Sequence, residues 1–168
     1  WGRPRGSTPV PCPALVRSTA LVKRLEAVGG VYTTHMRDEG DHVIEAIEET
    51  LETARVAGVR VVISHHKCSG SRNFGRSRET LALIAAAQAG QDVHMDVYPY
   101  IASSTVLLPS FMEDCPRVLI TWSEPHPEQA GRDLADIADD WDCSWDEAAE
   151  RLLPAGAIYF QMDEGDLQ

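Results

Sequence analysis

Long apolar runs are missing from the sequence. A helix that crosses a membrane needs roughly 20 predominantly apolar residues in succession, and polar residues interrupt every stretch of this 168-residue chain well before that length. The N-terminus also lacks the short apolar core of a secretory signal peptide. We therefore expect no membrane partner and a cytoplasmic location.

Basic residues are in short supply. The chain holds 15 lysine and arginine residues against 26 aspartate and glutamate residues, which gives a formal net charge of -11 at pH 7. A chain this acidic repels phosphate backbones and lacks the electrostatic footprint that nucleic-acid binding requires. We therefore expect no nucleic-acid partner.

Cysteine is also scarce, and its spacing is irregular. The four cysteines are Cys12, Cys68, Cys115 and Cys143. They form neither a CxxC zinc pattern nor a dense disulfide framework, so we expect reduced thiols. Apolar residues make up 43% of the chain, which is enough for the core of a folded domain.

An irregular leader is expected over residues 1–19. Its first part, residues 1–13, holds four prolines and two glycines and shows no hydrophobic period, which disfavours both helix and sheet. Apolar residues at helical spacing follow over 20–28, and Gly29-Gly30 closes the pattern. Because glycine commonly ends helices, we predict a helix that stops there.

Three strand-like segments then alternate with two amphipathic helices. The strands are predicted at 31–35, 59–64 and 92–98, and the first two are expected to be buried. The helices are predicted to begin near Asp41, as an N-cap, and near Ser77. Such a series requires right-handed crossovers and a parallel sheet. Parallel sheets of this kind occur in open doubly wound folds and in (β/α)₈ barrels, and periodicity alone does not choose between them.

The pattern changes beyond Pro99. A loop rich in small residues precedes a strand-like stretch at 118–122 and helical patterns at 133–140 and 145–153. The second helix opens with Ser144 and, three residues later, Glu147, which is the signature of a capping box. We interpret this part of the chain as an insert that follows the third strand.

Two histidines occupy matching positions on successive strands. His35 lies at the C-terminal end of the first predicted strand, and His65 lies at the C-terminal end of the second. In a (β/α)₈ barrel these strand ends form the rim that carries the active site, where two imidazoles can reach one metal ion. The alternative is that each histidine is a polar residue satisfied by local hydrogen bonds.

Lys67 and Tyr98 are placed at the same rim, one just past the second strand and one at the end of the third. An ammonium group suits a substrate carboxylate, and a phenol can donate a hydrogen bond to a carbonyl oxygen that gains negative charge. The alternative is a solvated lysine and a core tyrosine.

Four longer motifs occur in a fixed order: YTTHMRDEG at 32–40, ISHHK at 63–67, NFGRSRET at 73–80 and DVYPY at 96–100. In order and spacing they resemble the motifs of D-aminoacylases, the N-acyl-D-amino-acid deacylases of the amidohydrolase superfamily. The segments GRDL at 131–134 and PAGAIYF at 154–160 extend the resemblance, which runs from about Leu21 to Gln168.

The resemblance implies an α/β fold that is part of a (β/α)₈ TIM-like barrel with a small α/β insert. Residues 20–101 would belong to the barrel, residues 102–163 to the insert, and residues 164–168 to the start of the return to the barrel. The implied activity is zinc-dependent hydrolysis of the amide bond of N-acyl-D-amino acids, which are small-molecule substrates.

The resemblance also assigns roles to five residues. His35 and His65 match the histidines on the fifth and sixth barrel strands that hold the tightly bound Zn²⁺. Tyr98 matches a tyrosine that polarises the scissile carbonyl. Lys67 matches a lysine that contacts the substrate carboxylate, and Ser104 matches a residue near the side-chain pocket.

Other parts of the family's site match no residue of this sequence. The family has a His-x-His pair and a metal-bridging cysteine before the matched region, and a Gly-Ser-Asp aspartate, the general base, after it. We therefore expect an internal fragment whose activity as an isolated chain is incomplete. The alternatives are a related cyclic amide or imide hydrolase on the same barrel and a non-catalytic truncated remnant.

Overall fold

The computed structural model describes residues 13–168, which form two three-stranded sheets and five α-helices. The strands are Val31–Thr34 (β1), Arg60–Ile63 (β2), Val93–Met95 (β3), Ser103–Val106 (β4), Arg117–Ser123 (β5) and Ala155–Phe160 (β6). The α-helices are Pro13–Val22 (α1), Val43–Ala57 (α2), Ser77–Gln88 (α3), Leu134–Asp140 (α4) and Trp145–Leu152 (α5). Short 3₁₀ turns occupy Lys23–Val28, Ser71–Asn73, Pro109–Phe111, Pro127–Gln129 and Glu164–Asp166. Within 13–168, no helix is both long and apolar enough to cross a membrane.

The predicted irregular leader is wrong over residues 13–19. Helix α1 begins at Pro13, and a 3₁₀ turn continues the chain to Val28. Proline is compatible with the first turn of a helix, because the backbone N–H that it lacks has no intrahelical partner there. The predicted stop is confirmed, since Gly29 ends this segment in the left-handed conformation at φ 63°. Residues 1–12 of the leader lie outside the described residues.

The first sheet is parallel, as predicted, with the strand order β1-β2-β3. Helix α2 joins β1 to β2, and helix α3 joins β2 to β3, so both connections are βαβ crossovers. The expectation of a buried first strand is wrong: β1 is partly exposed, because among the described residues it has a neighbouring strand on one side only. The sheet brings the C-terminal ends of its strands to one rim.

Helix α2 supplies most of the core behind this sheet. Its N-cap is His42 rather than the predicted Asp41. The Asp38 carboxylate accepts the backbone N–H of His42 at 3.1 Å. The helix ends, as expected of a glycine stop, at Gly58 with φ 69°. The buried residues of this core include Val43, Ile47, Leu51, Ala54, Val61, Ile63, Ile84 and Val93. Burial of one such aliphatic side chain is worth about 1.5–3 kcal/mol, so this core holds the rim in place.

The second sheet is antiparallel, with the order β4-β6-β5, and helices α4 and α5 pack on it around a separate core. The predicted strand at 118–122 and both predicted helices are present. The capping box is confirmed, because the Ser144 side chain and the Glu147 side chain each accept a backbone N–H of the other residue. Strands β4 and β6 were not predicted. The chain is thus a mixed α/β structure.

Hydrogen bonds tie the second sheet to the loop that follows β2. The Asp114 carboxylate accepts the Ser71 hydroxyl at 2.7 Å and the Arg72 backbone N–H at 2.9 Å. The Gly70 N–H donates to the Gln161 carbonyl at 2.9 Å. Near the end of the chain, Asp166 accepts the backbone N–H of Ser77 at 3.1 Å and so caps helix α3. These contacts close the second sheet over the rim of the first.

Candidate metal and substrate site

A cleft of about 760 Å³ lies between the rim of the parallel sheet and the antiparallel sheet with its loops. All five residues singled out from the sequence line it: His35, His65, Lys67, Tyr98 and Ser104. The rim contributes the first four of these residues, and strand β4 of the antiparallel sheet contributes Ser104. Packing of the two sheets therefore brings together residues that lie up to 69 positions apart, from 35 to 104.

The two histidines converge at this rim. His35 directly follows β1, His65 lies two residues beyond β2, and His35 Nδ1 faces His65 Nε2. The ring centroids are 4.4 Å apart, with the ring planes 25° from parallel. The sequence prediction that these imidazoles share one rim is therefore met by the geometry.

His65 reaches this position through an unusual backbone conformation. Its φ angle is 42°, in the left-handed region that residues other than glycine rarely adopt. The Asp96 carboxylate holds this conformation by accepting the His65 backbone N–H at 2.7 Å. Backbone strain of this kind persists where the surrounding structure enforces it, and it clusters at functional sites.

The histidine pair fits part of a zinc site. Zinc accepts neutral imidazole nitrogens as ligands, and here one ring nitrogen from each histidine points at the same location. Over residues 13–168, no group of three or more His, Cys, Asp or Glu side chains is placed to hold a metal ion. The described residues therefore fit two positions of a metal centre.

Lys67 lies beside the histidines, but it is not solvated. Only 4% of its side chain is exposed, and its Nζ lies 2.7 Å from Glu39 Oε2 and 2.7 Å from His65 Nδ1. Burial lowers the pKa of the Lys67 ammonium, and the neighbouring Glu39 carboxylate opposes that shift. An ammonium group that is buried at the edge of a cleft favours an anionic ligand.

Tyr98 and Ser104 also line the cleft. The centroid of the Tyr98 ring lies 5.6 Å from the centroid of the His65 ring. The same centroid lies 5.3 Å from Lys67 Nζ. Tyr98 is not on a strand, because β3 ends at Met95, three residues earlier. Ser104 lies on β4, is exposed, and pairs with Ile158 of β6.

Glu39 and Asp96 are the residues that sequence reasoning missed. Glu39 lies in the loop between β1 and α2, and its carboxylate contacts both His65 and Lys67. Both carboxylates lie within five residues after a strand end of the parallel sheet, and this position is the sequence signal that could have identified them. His66, in contrast, turns away from the cleft, and its Nε2 lies 2.9 Å from the Thr80 hydroxyl of α3.

Comparison with known proteins identifies relatives of this chain. No protein-family model matches the chain. The chain is 53% identical over 148 residues to D-aminoacylase of Alcaligenes xylosoxydans xylosoxydans. A crystal structure of D-aminoacylase, described as defining a novel subset of amidohydrolases, matches with a TM-score of 0.81 at 51% identity over 89% of this chain.

This chain is homologous to the D-aminoacylases. A related structure, the N-acyl-D-glutamate deacylase of Bordetella bronchiseptica, matches with a TM-score of 0.85 at 46% identity over 91% of the chain. That enzyme is complexed with zinc and with a phosphonate inhibitor that mimics the tetrahedral intermediate of the reaction. The chain spans about a third of the length of these proteins: 31% of the Alcaligenes D-aminoacylase and 32% of each crystallised chain.

Proposed function

We propose that this D-aminoacylase homologue is part of a zinc-dependent enzyme that hydrolyses the amide bond of N-acyl-D-amino acids. The parallel sheet would then be a segment of a (β/α)₈ barrel, with the cleft at its C-terminal rim. The observation that carries the proposal is the convergence of His35 Nδ1 and His65 Nε2 in a cleft that Lys67 also lines.

His35 and His65 would hold the zinc ion, each through one ring nitrogen. Bound zinc lowers the pKa of a water ligand and polarises a carbonyl oxygen, which is the chemistry that amide hydrolysis needs. The left-handed backbone of His65 and its bond to Asp96 fix the direction of the second imidazole.

Lys67 would bind the carboxylate of the acylated amino acid. An ammonium group has three donors, so an ion pair with Glu39 at 2.7 Å leaves donors for a second anion. A cyclic amide or imide with no carboxylate would make no use of this group. The position of Lys67 therefore favours an open-chain N-acyl amino acid over the cyclic alternative.

Tyr98 and Ser104 would orient the remaining parts of the substrate. The Tyr98 phenol can donate a hydrogen bond to the scissile carbonyl as its oxygen gains negative charge. Ser104 faces the cleft from the insert, where it would contact the side chain of the amino acid. The chain's own residues thus bind and orient the substrate at the proposed metal centre.

Calorimetric titration of N-acetyl-D-methionine into the zinc-loaded chain tests this proposal. We expect zinc-dependent binding that prefers the D enantiomer over N-acetyl-L-methionine. Lys67→Met should abolish the binding, because it removes the cation that pairs with the carboxylate. The chain has one other lysine, the exposed Lys23 on the 3₁₀ turn after α1, so Lys23→Met is the matched control and should bind normally. Equal binding of the two enantiomers, or full binding by Lys67→Met, would contradict the proposal.

A further inference from the structure

The Glu39 carboxylate has one oxygen without a hydrogen bond. Its Oε2 pairs with Lys67 Nζ at 2.7 Å. Its Oε1 is buried and has no hydrogen bond among the described residues, although His65 Nδ1 lies 2.9 Å away. A buried acceptor without a donor is costly, and a proton on His65 Nδ1 would satisfy this one.

The location of that proton decides whether Nε2 of His65 can bind a metal ion. A neutral imidazole carries one proton, on Nδ1 or on Nε2. With the proton on Nδ1, the Nε2 lone pair is free and points to the location that His35 Nδ1 also faces. With the proton on Nε2, that lone pair is absent, and His65 cannot bind a metal ion there.

Lys67 competes for the same nitrogen. Its Nζ lies 2.7 Å from His65 Nδ1 as well as 2.7 Å from Glu39 Oε2. Since an ammonium group can only donate, a hydrogen bond from Lys67 to His65 Nδ1 would force the proton onto Nε2. Glu39 opposes this outcome in two ways, by drawing the ammonium to Oε2 and by offering Oε1 to an Nδ1 proton.

We propose that Glu39 is a positioning residue, which keeps His65 in the tautomer that has its proton on Nδ1 and thereby leaves Nε2 free for zinc. Glu39 is not itself a ligand in this arrangement, because its carboxylate contacts the ring nitrogen on the other side from the one facing His35. Carboxylates that receive the second N–H of a metal-bound histidine fix its tautomer and ring orientation in many metal sites. The inference rests on the proposed zinc site.

The loop that carries Glu39 is built to hold this carboxylate at the rim. The Glu39 carbonyl accepts the Ser69 backbone N–H at 2.6 Å, which ties the loop after β1 to the loop after β2. On the preceding turn, the Asp38 carboxylate accepts the Gly40 N–H at 2.8 Å. Glu39 therefore reaches His65 from a backbone fixed on both sides.

The tautomer of His65 can be measured in the metal-free chain. Long-range ¹H–¹⁵N NMR of the histidine-labelled protein, with the signal assigned by His65→Ala, distinguishes a protonated Nδ1 from a protonated Nε2. We expect a protonated Nδ1 in the parent chain and a shift of the proton to Nε2 in Glu39→Ala. Asp41→Ala is the matched control, because it removes an exposed carboxylate of the same cleft that does not contact His65, and it should leave the proton on Nδ1.

Zinc affinity supplies the second measurement. Loss of a carboxylate behind a metal-bound histidine typically weakens metal binding about 10- to 100-fold, so we expect that loss in Glu39→Ala and unchanged affinity in Asp41→Ala. If the parent chain fails to bind zinc, the proposed function fails, and the NMR result still decides the role of Glu39. A protonated Nε2 in the parent chain overturns the inference, whatever the Glu39→Ala variant shows. An unchanged zinc affinity in a folded Glu39→Ala overturns it as well.

Discussion

His35 Nδ1 and His65 Nε2 face each other although the residues are 30 positions apart in the chain. The parallel pairing of β1 with β2 brings the two strand ends together. The left-handed backbone of His65 and its hydrogen bond to Asp96 then direct the second ring toward the first. A site that depends on one strained residue is sensitive to changes in the groups that hold it.

Asp96 is the first such group. Asp96→Ala removes the acceptor of the His65 backbone N–H, so we expect zinc affinity to fall about tenfold, toward the lower end of the losses seen for outer contacts of metal ligands. Asp96→Asn keeps an acceptor oxygen and should bind zinc nearly as well as the parent chain. Calorimetric titration of both variants with zinc checks this. Equal affinities of the alanine variant and the parent chain would show that Asp96 does not hold His65.

Cys68 follows His65 by three positions but is expected to take no part in metal binding. Its side chain is buried, and burial raises its pKa to about 11. Because the thiolate is both the metal ligand and the nucleophile, Cys68→Ala should bind zinc as the parent chain does. A thiol reagent at neutral pH should label Cys68 about a hundredfold more slowly in the folded chain than in urea, as followed by peptide mass spectrometry. Rapid labelling of the folded chain would contradict the burial of this thiol.

The hydrogen bonds of Asp114 should make the folding stability of the chain depend on pH. Hydrogen bonds from the Arg72 backbone and the Ser71 hydroxyl hold the pKa of this carboxyl below its usual range. The unfolded chain therefore takes up the proton at a higher pH than the folded chain does. The stabilisation is complete above the ordinary aspartate pKa of about 3.9 and is lost as the pH falls through the lower folded value.

The variant Asp114→Asn tests whether this stabilisation is lost as the pH falls. Urea unfolding followed by circular dichroism should show a lower free energy of unfolding for the variant at pH 6. The difference from the parent chain should shrink as the pH is lowered below about 4. A difference that stays constant over this range would mean that the charge of Asp114 does not stabilise its contact with the loop after β2.

Hydrolysis by the 168-residue chain alone is expected to be slow, even with added zinc. The described residues group no third metal-binding side chain with the histidine pair, whereas a catalytic zinc typically has three protein ligands. The resemblance places the proton-accepting aspartate on a motif that this sequence does not contain, and general-base catalysis is typically worth about 10² to 10⁴ in rate. Release of D-methionine from N-acetyl-D-methionine measures the activity. Chelator-sensitive turnover above about 1 s⁻¹, within the usual enzyme range, would contradict this expectation.

The parallel sheet could be predicted because its signals are local. Strand β2 is almost continuously apolar, and the stripe from Val43 to Ala54 marks one face of α2. A regular alternation of such elements determines where the strand ends lie. The positions of the strand ends were sufficient to predict that His35 and His65 lie at the same rim. Strands β4 and β6 were not predicted, because Ser103–Val106 is short and polar and Ala155–Phe160 begins with small residues. Their strand conformation comes from pairing with each other.

The fine structure of the site could not be predicted for a related reason. Nothing local indicates that His65 adopts a positive φ angle, since that conformation depends on the Asp96 carboxylate 31 positions away. The ion pair of Glu39 with Lys67 likewise joins two loops that meet only in the folded chain. The sequence therefore predicted which side chains reach the rim, and it did not predict the carboxylates that orient them.

Zinc titration by calorimetry tests the central claim most directly. The parent chain is expected to bind zinc, and His35→Ala and His65→Ala should each remove that binding, because each deletes one of the two converging imidazoles. His94→Ala is the matched control, since His94 is exposed, pairs with Asp92 and does not line the cleft, and it should bind as the parent chain does. Unchanged zinc binding in both the His35 and the His65 variants would show that the metal lies elsewhere and would contradict the site described here.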